Sequence, residues 1–153
     1  MADDLSDVQA WVAGLLAQLR PAERRRVNRA IAVELRRTEG QRIAAQQNPD
    51  GTPYTPRRTK NLRGKRGAIR RKMFARLRTS RYLRVEATDT DAVVGYSGGV
   101  ARLARVHQEG RTDRPARGQA PVRYARRKLL GFTERSRNMV LDALARHLAG
   151  QRL

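Results

Sequence analysis

Cysteine is absent from this chain of 153 residues. Disulfides, thiol catalysis and cysteine-based zinc sites are therefore excluded. Aromatic residues amount to 5%, and Tyr54, Phe74 and Tyr82 form no recognisable row of stacking platforms for a single nucleic-acid strand. No apolar run approaches the roughly 20 residues of a membrane span. The opening Met1-Ala2-Asp3-Asp4 is acidic where a secretory signal is basic. The expectation is a protein made in a cytoplasm, with no membrane partner, and kept there or assembled there into something larger. Acidic residues are also scarce: 14 Asp+Glu stand against 34 Lys+Arg, for a formal net charge of +20. From Gly51 to Val85 there are none.

That acid-free stretch contains Arg57, Arg58, Lys60, Arg63, Lys65, Arg66, Arg70 and Arg71. They are the candidate surface toward DNA or toward an acidic partner protein. Positive charge concentrated in this way usually works against a polyanion or an acidic surface, and a lone monomer would suffer self-repulsion. A neutralising partner or an assembly is expected. Arginine greatly outnumbers lysine and suits bidentate phosphate and carboxylate contacts; a genome that favours Ala, Gly and Arg codons accounts for the bias equally well. With 39% hydrophobic and 31% charged residues, the chain can build a core of modest thickness. The length suits one domain, 1–153, with an N-terminal helical arm over about 1–20 and basic loops over about 52–68 and 111–121.

Ser6 and Gln9 read as a capping box, and Val8, Trp11, Val12, Leu15, Leu16 and Leu19 follow at spacings of three and four. This is an amphipathic helix over about 7–20. Its stripe either packs on the domain's own core or docks on a neighbouring subunit. Pro21 suits the first turn of a second helix, with Val27, Ile31, Leu35 and Ile43 on its buried face and an end at about Gln46 or Gln47. Asn48-Pro49-Asp50-Gly51 is a turn signal. Thr52 to Arg57 should be extended and stiff, and Asn61 to Gly67 a mobile basic loop. The spacing of Ile69, Met73, Phe74 and Leu77 predicts a short helix to about Thr79. Tyr82–Ala87 and Ala92–Tyr96 read as a β-hairpin across Thr88-Asp89-Thr90-Asp91. A short helix from about Val100 stops near Gly110. Arg111 to Ala120 is a loop or arm, and about 124–130 is a strand or extended segment. Thr133 caps a last helix lined by Met139, Val140, Ala143, Leu144 and Leu148 and closed by Gly150. The fold class is α+β: long N-terminal helices, a small mostly antiparallel sheet with a hairpin, and a C-terminal helix.

Chemistry is sparse. His107 and His147, the two histidines, lie in different elements without an Asp/Glu cluster, and no Ser–His–Asp set can be assembled. His107 reads as a hydrogen-bonded structural residue. Asp50 and Glu86 superficially suggest the paired carboxylates that hold Mg²⁺ in a nuclease. However, Thr88 stands where a lysine would be expected, and Asp50 is better explained by its turn. There is no phosphate-cradling glycine loop. No catalytic residue, metal ligand or cofactor is assigned. Contact with nucleic acid would be backbone-directed, non-specific and strongly salt-dependent.

Four segments in order carry a resemblance. They are Gln41 to Gly51 with Tyr54 and Pro56-Arg57; Arg71-Lys72-Met73-Phe74 with Leu77-Arg78; Val106-His107-Gln108-Glu109-Gly110; and Arg127 to Thr133. Together they resemble the phage virion morphogenesis family, also called the tail completion (gene-S-like) family, of contractile-tailed and Mu-like phages. The resemblance implies a non-enzymatic subunit at the neck or tail end of the virion, where a DNA-filled head joins a tail. It implies a homo-oligomeric ring, commonly six-fold, next to other phage neck and tail proteins. Genomic double-stranded DNA would pass through its lumen. The candidate subunit interface is then Val8, Trp11, Val12, Leu15, Leu16 and Leu19. Pro49, Asp50 and Gly51 would fix the exit of the long helix. His107 and Gly110 would make a structural corner, and Leu129, Leu130 and Phe132 would anchor the C-terminal helix to the sheet. A non-specific nucleic-acid-binding architectural protein is the alternative, and a Mg²⁺-dependent nuclease the weakest reading.

Overall fold

The structure is a computed structural model that describes residues 6, 9–11, 13–14, 17, 19–57 and 72–149. Its elements are α1 (Pro21–Ala44), β1 (Leu83–Ala87), β2 (Ala92–Tyr96), α2 (Gly99–Glu109), β3 (Thr112–Asp113), β4 (Val122–Arg123) and α3 (Glu134–Leu148). Strands pair as β1 with β2 and as β3 with β4. The class is α+β, as expected. At the N-terminus, the described residues Ser6, Gln9, Ala10, Trp11, Ala13, Gly14 and Ala17 are helical.

The chain divides into two compact units. The first comprises Met1–Arg36, Val85–Val94 and Glu134–Leu153. Its core joins Val27 and Ile31 of α1 to Ala143 and Leu144 of α3, with Leu19, Leu35, Ala92 and Val140 packed around them. The apolar positions of α1 recur at three and four, so they share one helix face. The β1–β2 turn is tied down by polar contacts. Thr88 Oγ accepts from the backbone N–H groups of Thr90 and Asp91, Asn28 donates to the Thr88 carbonyl at 3.0 Å, and Arg24 meets Asp89 at 3.4 Å.

The second unit comprises Arg37–Arg84 and Gly95–Thr133. Its core is Ile43, Tyr54, Met73, Leu77, Ala104 and Leu129, flanked by Phe74, Tyr82, Tyr96 and Val100.

Some expectations need correction. The helix predicted to Thr79 is not formed in its described part: residues 72–82 run as successive turns, and Phe74 has φ 62°, which no right-handed helix accommodates. Helix α1 stops at Ala44, short of Gln46, because Gln46 enters the left-handed region at φ 61°. Gln46 N–H then donates to Ile43 O and Gln47 N–H to Arg42 O, the paired bonds of a Schellman ending. The 111–121 loop is a hairpin closed by the short β3–β4 ladder, Thr112 opposite Arg123 and Asp113 opposite Val122. Phe132 is 62% exposed, and Leu129 is buried in the second unit's own core. The expected stop at Gly150 lies outside the described residues.

Candidate functional site

The four segments that carry the resemblance converge in the second unit, around a strap, residues 127–131, with no strand partner among the described residues. A buried backbone without a ladder must find other hydrogen-bond partners. Here Arg127 N–H donates to His107 O at 2.8 Å, and side chains supply the rest. Lys128 N–H donates to Asn48 Oδ1 at 2.9 Å. Arg42 donates to the carbonyls of Lys128 and Leu129 at 3.0 and 2.8 Å, and Tyr54 OH to that of Lys128. Gln108 brackets Leu130, accepting from its N–H at 3.0 Å and donating to its carbonyl at 2.8 Å. The Gly131 N–H donates to Glu39.

Arg42 organises this arrangement. Its guanidinium also donates to Gln47 O at 2.8 Å and forms an ion pair with Glu39. Both side chains are at least nine-tenths buried. Burial pushes the Glu39 carboxyl up, against the pull of the Arg42 guanidinium and the bonds that it accepts. Gln46 does for Met73 what Gln108 does for Leu130: it accepts from Met73 N–H at 2.7 Å and donates to Met73 O at 2.9 Å. Side-chain amides at α1's exit and in α2 thus stand in for strand neighbours.

The turn after α1 has a defined geometry. Gly51 N–H donates to Asn48 O at 2.9 Å, and Gly51 takes φ 83°. Asp50 Oδ1 accepts from both the N–H and the hydroxyl of Thr52, at 3.0 and 2.6 Å. These bonds hold its carboxyl below the ordinary carboxylate range. Pro49 lies against Gly131. Asp50 is therefore committed to shaping a turn.

His107 is buried among rings. It meets Phe74 edge-on at 4.8 Å and Tyr124 at 5.1 Å, and Phe74 in turn meets Tyr54 at 5.8 Å. Burial first, then the Arg127 and Arg57 charges, lower its pKa to about 4. A place in the last turn of α2 favours the imidazolium by roughly 0.3–1 kcal/mol, and desolvation outweighs that. The ring is neutral at pH 7, and Nδ1 accepts from Arg127 Nη1 at 3.3 Å. Arg127 also donates to the carbonyls of Thr55 and Pro56 at 2.7 and 3.0 Å, clamping the extended segment after the turn. Gly110 ends α2 with φ 69° and ψ 42°.

Of the candidate basic surface, Arg57 is exposed; Arg58, Lys60, Arg63, Lys65, Arg66, Arg70 and Arg71 lie outside the described residues. Of the candidate interface, Trp11 is 52% exposed, whereas Leu19 packs on its own unit's core. Val8, Val12, Leu15 and Leu16 are outside the described residues. An open cleft of about 1130 Å³ is lined by Arg57, Phe74, His107, Arg123, Tyr124 and Arg126 among others. Among the described residues no group of three His, Asp or Glu side chains could hold a metal, and no helix is long and apolar enough to cross a membrane.

Sequence reasoning placed Arg42, Gln108 and Arg127 in the resembling segments but gave them no role, and missed Glu39 altogether. In a chain this rich in arginine, a buried Arg looks like a solvated one. The available signal was position: Arg42 lies one residue before Ile43, in the last turn of a helix whose carbonyls need donors.

Comparison with known proteins identifies relatives of the chain. The description "phage virion morphogenesis family" matches residues 3–149. The chain is 38% identical over 138 residues to tail completion protein S of Escherichia phage P2, covering 90% of this chain and 92% of that one. No solved structure matches. With a match that takes in all four converging segments, the chain belongs to the phage virion morphogenesis family.

Proposed function

We propose that this protein is a tail-completion subunit of a tailed bacteriophage, a non-enzymatic structural component of the virion. The observation that carries the reading is the near full-length similarity to tail completion protein S of phage P2. The chemistry of the second unit supports it. Asp50 is spent on a turn, Glu39 on an ion pair and His107 on a buried hydrogen bond. Each of these three groups has a folding role.

In this reading the subunits are assembled in the host cytoplasm and close into a ring, commonly six-fold for such proteins. The ring sits at the neck or tail end, against other neck and tail proteins, and joins the DNA-filled head to the tail. The net charge of +20 suits a ring around DNA or beside acidic neighbours. Lys65 and Arg66 sit between Gly64 and Gly67, with Arg63 just before, and have few apolar neighbours in sequence, so reversing all three to Glu should leave the fold intact and block particle completion. Wild-type titres from that variant would count against the reading.

The direct test is deletion of the gene from its phage. Micrographs of the lysate should show heads and tails that fail to yield finished particles, with recovery from a plasmid copy. Normal infectious particles without the gene would overturn the proposal. The charge also keeps a second reading in view, a non-specific nucleic-acid-binding protein. Tight binding of naked DNA by the isolated subunit at physiological salt favours that one.

A further inference from the structure

The cleft of the second unit is large and open. Its volume of about 1130 Å³ exceeds the roughly 300–1,000 Å³ typical of small-ligand sites. Arg57, Arg123 and Arg126 line it, together with the edge-to-face series of Phe74, His107 and Tyr124. Among the described residues, no carboxylate pairs with any of these three arginines; Glu109, at the same cleft, pairs with Arg111. The site is complementary to a chain segment that brings acidic groups and an aromatic or apolar side chain.

The N-terminal segment of the sequence is of this kind. Residues 1–19 carry Asp3, Asp4 and Asp7 and neither lysine nor arginine; all 34 Lys and Arg come from Arg20 onward. The same residues carry the apolar series that includes Val8 and Trp11. Trp11 is helical and 52% exposed, and tryptophan is among the residues that most often anchor protein interfaces.

We propose that the acidic, amphipathic N-terminal segment of one copy docks in the arginine- and aromatic-lined cleft of a second copy. This rests on the ring reading above and supplies its contact. Segment and cleft are different surfaces, so the interface is heterologous, the type that generates rings when the rotation closes. Each docking event places three aspartates against a strongly basic body and relieves part of its self-repulsion.

The test uses the full-length chain in sedimentation velocity over a range of concentrations, with circular dichroism to verify folding. One variant carries Asp3→Lys, Asp4→Lys and Asp7→Lys. A second carries Arg123→Glu and Arg126→Glu. A third combines all five changes. Each of the first two should raise the concentration needed for self-association by about tenfold, the loss expected of a few exposed charge pairs. The combined variant should recover most of that loss, and the first two, mixed, should associate with one another. If the cleft variant misfolds, the N-terminal variant and its salt dependence carry the test, because screening should weaken wild-type association in the same direction. Self-association indifferent to both sets of reversals would overturn the docking and leave the ring standing. A wild-type chain that stays monomeric at every concentration would overturn both.

Discussion

Gly131 lies so close to Pro49 that a β-carbon added to it would collide with Pro49 Cγ. The turn that follows α1 and the strap that crosses it are therefore packed backbone to ring, with no room for a methyl group. Gly131→Ala should destabilise the protein by about 1–3 kcal/mol, the usual cost of overpacking. Urea denaturation measures it, and an unchanged midpoint would contradict the contact.

The buried His107 makes stability depend on pH. Its folded pKa, about 4, lies below the ordinary 6.5. The unfolded chain therefore takes up a proton at higher pH than the folded chain. Its contribution is fully present above pH 6.5 and is lost as pH falls toward 4, amounting to about 3 kcal/mol. His107→Gln keeps an acceptor for Arg127 and cannot titrate. Its stability curve should fall less steeply than the wild type's between pH 6.5 and 4. Parallel curves would show that His107 is accessible to protons in the fold.

Gln46 should invert the usual order of helix-end substitutions. Its backbone is left-handed and its amide brackets Met73. Gln46→Gly loses the bracket and relieves the backbone. Gln46→Ala loses the bracket and keeps the strain, so it should be the less stable by about 1 kcal/mol. Thermal melts of both decide it. An alanine variant as stable as the glycine variant would contradict the left-handed conformation.

These residues also explain which parts of the fold were legible in advance. Helix α1 was, because Val27, Ile31 and Leu35 recur with the helical period and a helix buries one stripe. The β1–β2 hairpin was, because two short strand-like runs flank a polar loop. The turns over 72–82 were not. Met73, Phe74 and Leu77 have helical spacing, yet Gln46 holds the Met73 backbone from across the unit. The segment over about 124–130 was read as a strand or extended, but the partners of the strap at 127–131 were hidden. They are Arg42, Asn48, Tyr54 and Gln108, far away in sequence, and periodicity reports only neighbours on the same element. Of the candidate site, the turn at Pro49-Asp50-Gly51 could be read from local chemistry, whereas the Arg42–Glu39 pair could not.

Arg42 should be the most sensitive charged side chain in the second unit. Arg42→Ala leaves Glu39 buried without its counter-ion and strands the carbonyls of Lys128 and Leu129. A loss of about 3–5 kcal/mol is expected for such a broken pair. Arg42→Lys restores the charge but not the fork, so it should recover only part of the loss. Full recovery by lysine, in chemical denaturation, would contradict the role given to the guanidinium geometry.

Trp11→Ala should separate assembly from folding. An exposed side chain contributes little to monomer stability, within about 0.5 kcal/mol. The variant should melt like the wild type and yield fewer finished particles. A variant that unfolds would instead put Trp11 in the core.

The most direct test of the central claim is quantitative mass spectrometry on purified particles of the phage that encodes this chain. A tail-completion subunit should be present at a low, ring-like copy number relative to the tail tube protein. Absence from finished particles would contradict the account.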